Sequence, residues 1–304
     1  MSAAKQITVV GVALLTMAIG VPTAMASGPE RLQPNDVDLT GYIEFQNTTG
    51  DPDDPRVWGH ALQDDDGFSN FARDLGQVFA PQLTAPSETL GQAGYAIKLK
   101  GTLSHVPSSE QYWSDGLAGG SPNSVLVSNH LHVRKGLPFS FEVGGNLTHL
   151  YNSQMFGMGG DLRWALHEGY RYFPDIAARV GANTVTGAPQ LNLINLAWDI
   201  SMSKSFGLGG VVQLTPYAGY QQLHTWGSSR VVNAYPHDPR PPQTLGDDGA
   251  GPSFSPEVVF DAGRQFTNRY FLGGRLNTWI MSFTVEAIFA DPVNQFTFSA
   301  GVDF

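Results

Sequence analysis

Charged and imidazole side chains recur at alternate positions through the central and C-terminal parts of this 304-residue sequence. Lys98 and Lys100 stand two residues apart, as do His130, His132 and Arg134, and Asp161 and Arg163. Glu142, Arg179, Asp199, Arg269, Arg275, Glu286 and Asp303 keep the same parity within their own apolar/polar runs. Two-residue spacing puts such groups on one face of a strand. Charges of both signs withdrawn from water need partners. Two chemistries fit. One is a network of ion pairs and waters filling a narrow interior; the other is a small pore or ligand site lined by the same groups. The basic members crowd the early segments, which favours an anionic solute.

Other spacings lead to less. His130 and His132 in HLH put two imidazoles on one strand face, but zinc needs further ligands, and the sequence holds no Cys to supply them. DPDD (51–54) and DDDG (64–67) lack the twelve-residue ligand pattern of a calcium loop with its terminal Glu. No metal or cofactor is expected. His105, Glu110, Asp115, His149 and His224 fall near one rim of the topology derived below, where a membrane-embedded hydrolase would place its nucleophile and base. Their spacing matches no protease, phospholipase or lipid-A deacylase pattern, so the reading is non-enzymatic.

The elements that must position these groups follow from composition and periodicity. The chain is 41% hydrophobic and 14% charged, with 35 Gly and a mean hydropathy of −0.14. These values suit a strand-rich protein and not a helical membrane protein. Lys5, the apolar run ITVVGVALLTMAIGV (7–21) and then Ala24-Met25-Ala26 have the order of a secretory signal peptide. It is expected to span residues 1–26, with cleavage near Ala26. The run falls short of the roughly 20 residues a spanning helix needs. An exported chain without Cys has no disulfide framework. Its formal charge of −10 argues against a nucleic-acid partner.

Period-two alternation dominates residues 92–304. The last segment, NQFTFSAGVDF, sets Phe296, Phe298, Ala300, Val302 and Phe304 against Gln295, Thr297, Ser299, Gly301 and Asp303. Similar runs predict strands near 93–105, 124–135, 138–151, 154–167, 175–185, 191–204, 209–224, 268–277, 278–290 and 294–304. Segments of about ten alternating residues between turn residues are the signature of a transmembrane β-barrel. Aromatics at segment ends (Tyr95, Tyr151, Trp164, Tyr172, Trp279) suit its interfacial girdles. The connections split into short turns on one side and two long loops, 105–123 and 225–267, on the other. That asymmetry is expected of periplasmic turns and external loops.

Residues 27–91 read differently. Phe68, Phe71, Ala72, Leu75, Val78 and Phe79 lie at helical spacing, behind Asp64, Asp65 and Asp66 and ahead of Pro81. An amphipathic helix near 67–80 is expected, in a periplasmic or plug segment. Crowding inside a barrel of about ten strands favours a periplasmic cap or a partial plug. VDLTGYIEF (37–45) also alternates; as a further strand it would raise the count toward twelve.

The signal peptide, the alternating segments and the terminal QFTFSAGVDF ending in Phe304 together resemble a bacterial (Gram-negative) outer-membrane β-barrel protein. The resemblance implies outer-membrane lipid as surroundings, and it implies recognition of the carboxy-terminal strand by the barrel-assembly machinery. The expected fold is an all-β, antiparallel transmembrane barrel of about ten strands (range 8–12), monomeric, in the cell outer membrane. The expected function is a narrow channel or small-solute conduit, or a structural envelope protein. The alternative is a surface-binding, adhesin-type protein acting through loops 105–123 and 225–267, with a membrane-embedded hydrolase third.

Overall fold

Ten consecutive antiparallel strands form a ring in the computed structural model, which describes residues 32–47, 58–82, 85–120, 122–170, 172–209, 212–233 and 257–304. They are β1 (Tyr95–His105), β2 (Val125–Leu137), β3 (Phe141–Leu150), β4 (Phe156–His167), β5 (Asp175–Thr186), β6 (Leu191–Ser203), β7 (Val212–Ser229), β8 (Asp261–Thr278), β9 (Met281–Ala290) and β10 (Asn294–Asp303). Each pairs with the next, and β10 returns to β1 with Phe298 opposite Gly101 and Val302 opposite Ile97. Closure answers why the chain alternates up to its end: the last strand has a neighbour on both sides. The backbone of Phe304 exchanges two hydrogen bonds with that of Tyr95.

The alternation sorts side chains by solvent. Phe298 is 47% exposed on the outer wall, while the adjacent Thr297 is fully buried inside. Ile97, Leu131, Val143, Leu162, Trp198, Ile200, Leu272, Val285 and Phe296 also face outward, forming an apolar belt. No helix among the described residues is long and apolar enough to cross a membrane. The strands supply the apolar surface.

One end of the ring carries turns, at 138–140, 168–174, 204–211 and 279–280. The other carries the connections at 106–124, 151–155, 187–190, 230–260 and 291–293. The strands run 10 to 13 residues except β7 and β8, which reach 18 each. Both extend further toward the loop end than their alternation suggested. The flanks of their loop continue the hairpin, Val232 pairing with Val258 and Asn233 with Glu257. Residues 234–256 and the signal segment 1–26 lie outside the described residues.

The segment 37–45 does not join the ring. Val37 makes a bridge to Leu117, Leu39–Tyr42 form a 3-10 turn, and Ile43–Asn47 pair with Trp58–Gln63 in a separate two-stranded sheet. The ring keeps its even count of ten.

Helix α1 (Asp65–Phe79) starts where the Asp64 side chain accepts a bond from the Gly67 amide at 2.8 Å, and Pro81 follows its end. It lies inside the ring. Inward side chains from four separate strands bond to it: Asn183 of β5 to the Phe79 carbonyl, and Asn195 of β6 to that of Gly76 at 3.1 Å. Gln265 of β8 donates to the Ser69 hydroxyl at 2.7 Å, and Gln295 of β10 to the Gln77 carbonyl at 3.0 Å. Only an interior position lets opposite walls reach one helix. The crowding expected of a ten-stranded lumen is relieved by glycine at the two contact points. A Cβ on Gly76 would stand 2.5 Å from Thr225, and one on Gly227 would stand 2.6 Å from Ala72.

Candidate functional site

The lumen is where the alternating ionisable groups meet, and the chain fills it in two layers. Toward the loop end, Phe68, Phe71, Leu75, Val78 and Phe79 of α1 are fully buried. They pack with Tyr42, Trp113, Leu126, Leu150, Leu193 and Phe260, so that nearly every loop contributes a side chain to one apolar cluster. Phe71 and Trp113 meet edge-on at 5.2 Å, and Phe68 lies 5.2 Å from Phe260. Helix α2 (Gln111–Asp115), from the loop between β1 and β2, closes over α1. At this contact Tyr112 donates to Asp74 Oδ2 at 2.8 Å, and Arg73 Nε sits 2.8 Å from Oδ1. Burial raises the Asp74 carboxyl above the usual carboxylate range, against the opposing pull of Arg73. Burial and then the Asp74 charge raise the Tyr112 hydroxyl.

Below Phe79 the described residues 81–82 and 85–90 lead toward the turn end, and polar side chains replace the apolar cluster. Lys98, Lys100, Arg134, Arg163, Arg179, Arg269 and Arg275 are buried on the inner wall together with Glu142, Asp161, Asp199 and Glu286. The carboxylates account for part of the positive charge. Arg179 sits 2.6 Å from Asp199, while Glu142 lies 3.0 Å from Arg134 and 3.2 Å from Arg163. The hydroxyl of Tyr217 donates to Glu286 at 2.7 Å. Backbone carbonyls of the threading segment take much of the rest. Arg179 donates to the carbonyls of Pro81 and Gln82 at 3.3 and 3.2 Å, Lys100 to that of Gln82 at 3.3 Å, and Arg163 to those of Pro86 and Glu88. Arg269 is bonded instead to the side-chain oxygens of Gln221 and Gln295. A buried segment outside any helix or sheet has carbonyls that need donors, and the cationic wall supplies them.

The two histidines are drawn into this wall. His132 bonds Asp161 at 2.9 Å, and His130 bridges Ser128 and Thr148 at 3.0 and 2.8 Å. No cluster of three or more His, Cys, Asp or Glu suited to a metal occurs among the described residues. At the rim, the ring of His149 meets the Ser153 carbonyl, and that of His224 meets Arg264.

Uncharged residues were not singled out by the sequence patterns, yet they hold the segment as firmly. Gln221 donates to the Pro81 carbonyl at 3.0 Å, and the Ser87 amide donates to Ser203 at 2.9 Å. Gln82 receives the Thr102 hydroxyl at 3.0 Å. Their only advance signal is parity: each wall residue among them occupies an inward position.

A closed, even-numbered antiparallel ring, apolar outside and polar inside, is an outer-membrane β-barrel. No family model and no curated protein matches the chain. Among solved structures it is similar to the KdgM porin, at 7% identity and a TM-score of 0.32, over 69% of this chain and 99% of that one. It is also similar to Ail, the attachment invasion locus protein of Yersinia pestis, at 12% identity and a TM-score of 0.26, over 70% of this chain and 99% of that one. A third is the N-terminal β-barrel domain of Pseudomonas aeruginosa OprF, at 12% identity and a TM-score of 0.27, again over 70% and 99%. These likenesses decide nothing about activity, which must follow from this chain's own residues.

Proposed function

We propose that this protein is a normally closed small-solute conduit of the outer membrane, with its own N-terminal segment as the closure. The carrying observation is the way residues 81–82 and 85–90 are held. Their backbone is gripped by side chains of the wall, from the donors Arg179 and Gln221 at the Pro81 carbonyl to the acceptor Glu142 at the Leu90 amide. Such polar contacts can be exchanged for water one at a time, and α1 too is tied to four strands by side-chain hydrogen bonds of this kind. Lumen residues Lys98, Lys100, His130, His132, Arg134, Glu142, Asp161, Arg163, Arg179, Asp199, Arg275 and Glu286 line the path, with an excess of positive charge that favours anions. The chain is exported by the signal peptide 1–26, inserted by the assembly machinery through the strand ending at Phe304, and works as a monomer without cofactor or catalytic role.

The test is conductance in planar bilayers. The full chain should be silent apart from rare openings, with anions favoured over cations. Gly76→Cys combined with Thr225→Cys brings two thiols together between α1 and β7. Oxidation should abolish the openings and reduction restore them. Continuous conductance with the cross-link formed would end the closure reading.

A second reading, surface binding, is favoured by the loop end: the β7–β8 hairpin projects beyond the other strands, and the apolar cluster makes the loops one rigid platform. A chain that never conducts, even with α1 destabilised, would shift the function there.

A further inference from the structure

Beyond Gln82 the threading segment makes most of its hydrogen bonds to one side of the lumen. Ser87 bonds Ser201 and Ser203 of β6, Thr89 bonds Glu168 in the turn after β4, and Leu90 bonds Glu142 of β3. The opposite wall, β8 to β2 through β1, meets that segment at Arg275 and holds several buried polar groups without a hydrogen-bond partner. Lys98 is 1% exposed, its ammonium makes no hydrogen bond, and its nearest carboxylate oxygen, on Asp303, is 4.0 Å away. Arg134 uses one terminal nitrogen on Glu142 and leaves the other without a partner. Arg275 lies 3.5 Å from Glu88 and 3.7 Å from Asp303, and its Nε is without a partner. The buried hydroxyls of Ser282, Thr284 and Ser299 are unpartnered as well.

The register gathers five of these groups, and Arg134 joins them as a charged neighbour of Lys98. Ser299 stands between Lys100 and Thr284, and Thr284 stands beside Arg275. Gly301 stands between Lys98 and Ser282, and a Cβ there would lie 2.6 Å from Lys98 Cγ. Gly301 therefore lets the lysine side chain lie across β10 toward β9 and its hydroxyls. The charged neighbours of Lys98 are Arg134, Asp303, Arg275 and Lys100, three of them positive. The half-buried Asn277 and Asp303 mark the way in at the turn end.

We propose that Lys98, Arg134 and Arg275, with the hydroxyls of Ser282, Thr284 and Ser299, form a binding site for one small oxyanion. The site is entered from the turn end while the barrel is closed. Three cationic N–H donors and three hydroxyls present donors to a ligand rich in acceptors, which describes phosphate, sulfate or a short carboxylate. Asp303 at the entrance limits the net positive charge and so disfavours polyanions. The site goes beyond the conduit reading, since it needs no opening of the plug.

The test is calorimetric titration of the refolded full chain in neutral detergent with inorganic phosphate, sulfate and acetate in separate runs. Saturable one-to-one binding of at least one is expected, and the rank of the three tells a tetrahedral oxyanion from a carboxylate. Lys98→Met should raise the Kd about tenfold or more, the scale of one charged hydrogen bond, while Lys135→Gln on the outer wall should leave it unchanged. If Lys98→Met does not give a folded, heat-modifiable band, Ser282→Ala with Ser299→Ala keeps the charges and should still weaken binding. Absence of saturable binding by all three anions, or binding equal to wild type in a folded site variant, overturns the proposal. Because no bilayer is involved, a silent protein that binds and a conducting protein that does not are distinguishable results.

Discussion

Residues 65–79 and the described residues 81–82 and 85–90 fill the two ends of one lumen in opposite ways. Toward the loops, α1 presents six apolar side chains to a cluster gathered from almost every loop, and polar side chains of four strands bond to it besides. Toward the turns, the following segment has no regular structure and little apolar area, and it is held through its carbonyls by arginine, lysine and glutamine. The upper fill is non-directional and proportional to area. The lower fill is directional, and each bond has a named donor. A seal that must exclude water suits the first kind of contact, and a segment that must yield to solute suits the second.

The contrast can be broken at its strongest points first. Phe71→Ala removes a fully buried ring from the upper cluster and should cost about 3–5 kcal/mol. Urea unfolding of the refolded protein would report it, with little dependence on salt. Arg179→Met in the lower layer strips Asp199 and two carbonyls of their partner and should cost about 3–5 kcal/mol. Adding Asp199→Leu should recover part of that loss, which a purely apolar lower layer would not allow. Gly76→Leu forces a side chain against Thr225 and Asn195, and overpacking should cost about 1–3 kcal/mol. It should also raise the frequency of openings in bilayers, because it loosens α1 without touching the lower bonds.

The smallest effect concerns pH. Asp74 lies on α1 at the loop end, outside the membrane-spanning strands, and burial raises its folded-state pKa. Its unfolded value is about 3.9. Below that, both states hold the proton. As pH rises from there toward the folded value, the unfolded chain ionises first, so stability from this group falls and stays lower above. Asp74→Asn should remove that fall, and the stability difference between variant and wild type should grow in the variant's favour from pH 4 to pH 7. A difference that is flat with pH would mean the carboxyl is ionised in both states.

Periodicity carried much of this architecture in advance. Ten strands follow from alternation, since a one-residue slip would turn every outward phenylalanine inward. Helix α1 is written in the spacing from Phe68 to Phe79 and in the acidic residues before it. The inward parity of Lys98, His132, Arg179 and Asp199 is written too. Their partners are not. Arg163 meets the Pro86 carbonyl, and any residue could supply the same carbonyl at that point, so the contact leaves no trace in side-chain types.

The sequence by itself determined which side chains face lipid and which face the lumen, because a strand has only two faces and a period of two. It also determined that a helix would precede the barrel, because its apolar stripe needs burial. The tertiary structure alone decided where that helix goes. Two close approaches, Gly76 to Thr225 and Gly227 to Ala72, are set by positions far apart in the chain and make room in a lumen that strand number alone would fill. It also decided which charges are spent on the plug and that Lys98 is left without a hydrogen bond, because burial of a carbonyl beside a cation depends on the path of the backbone and not on the identity of the residues along it.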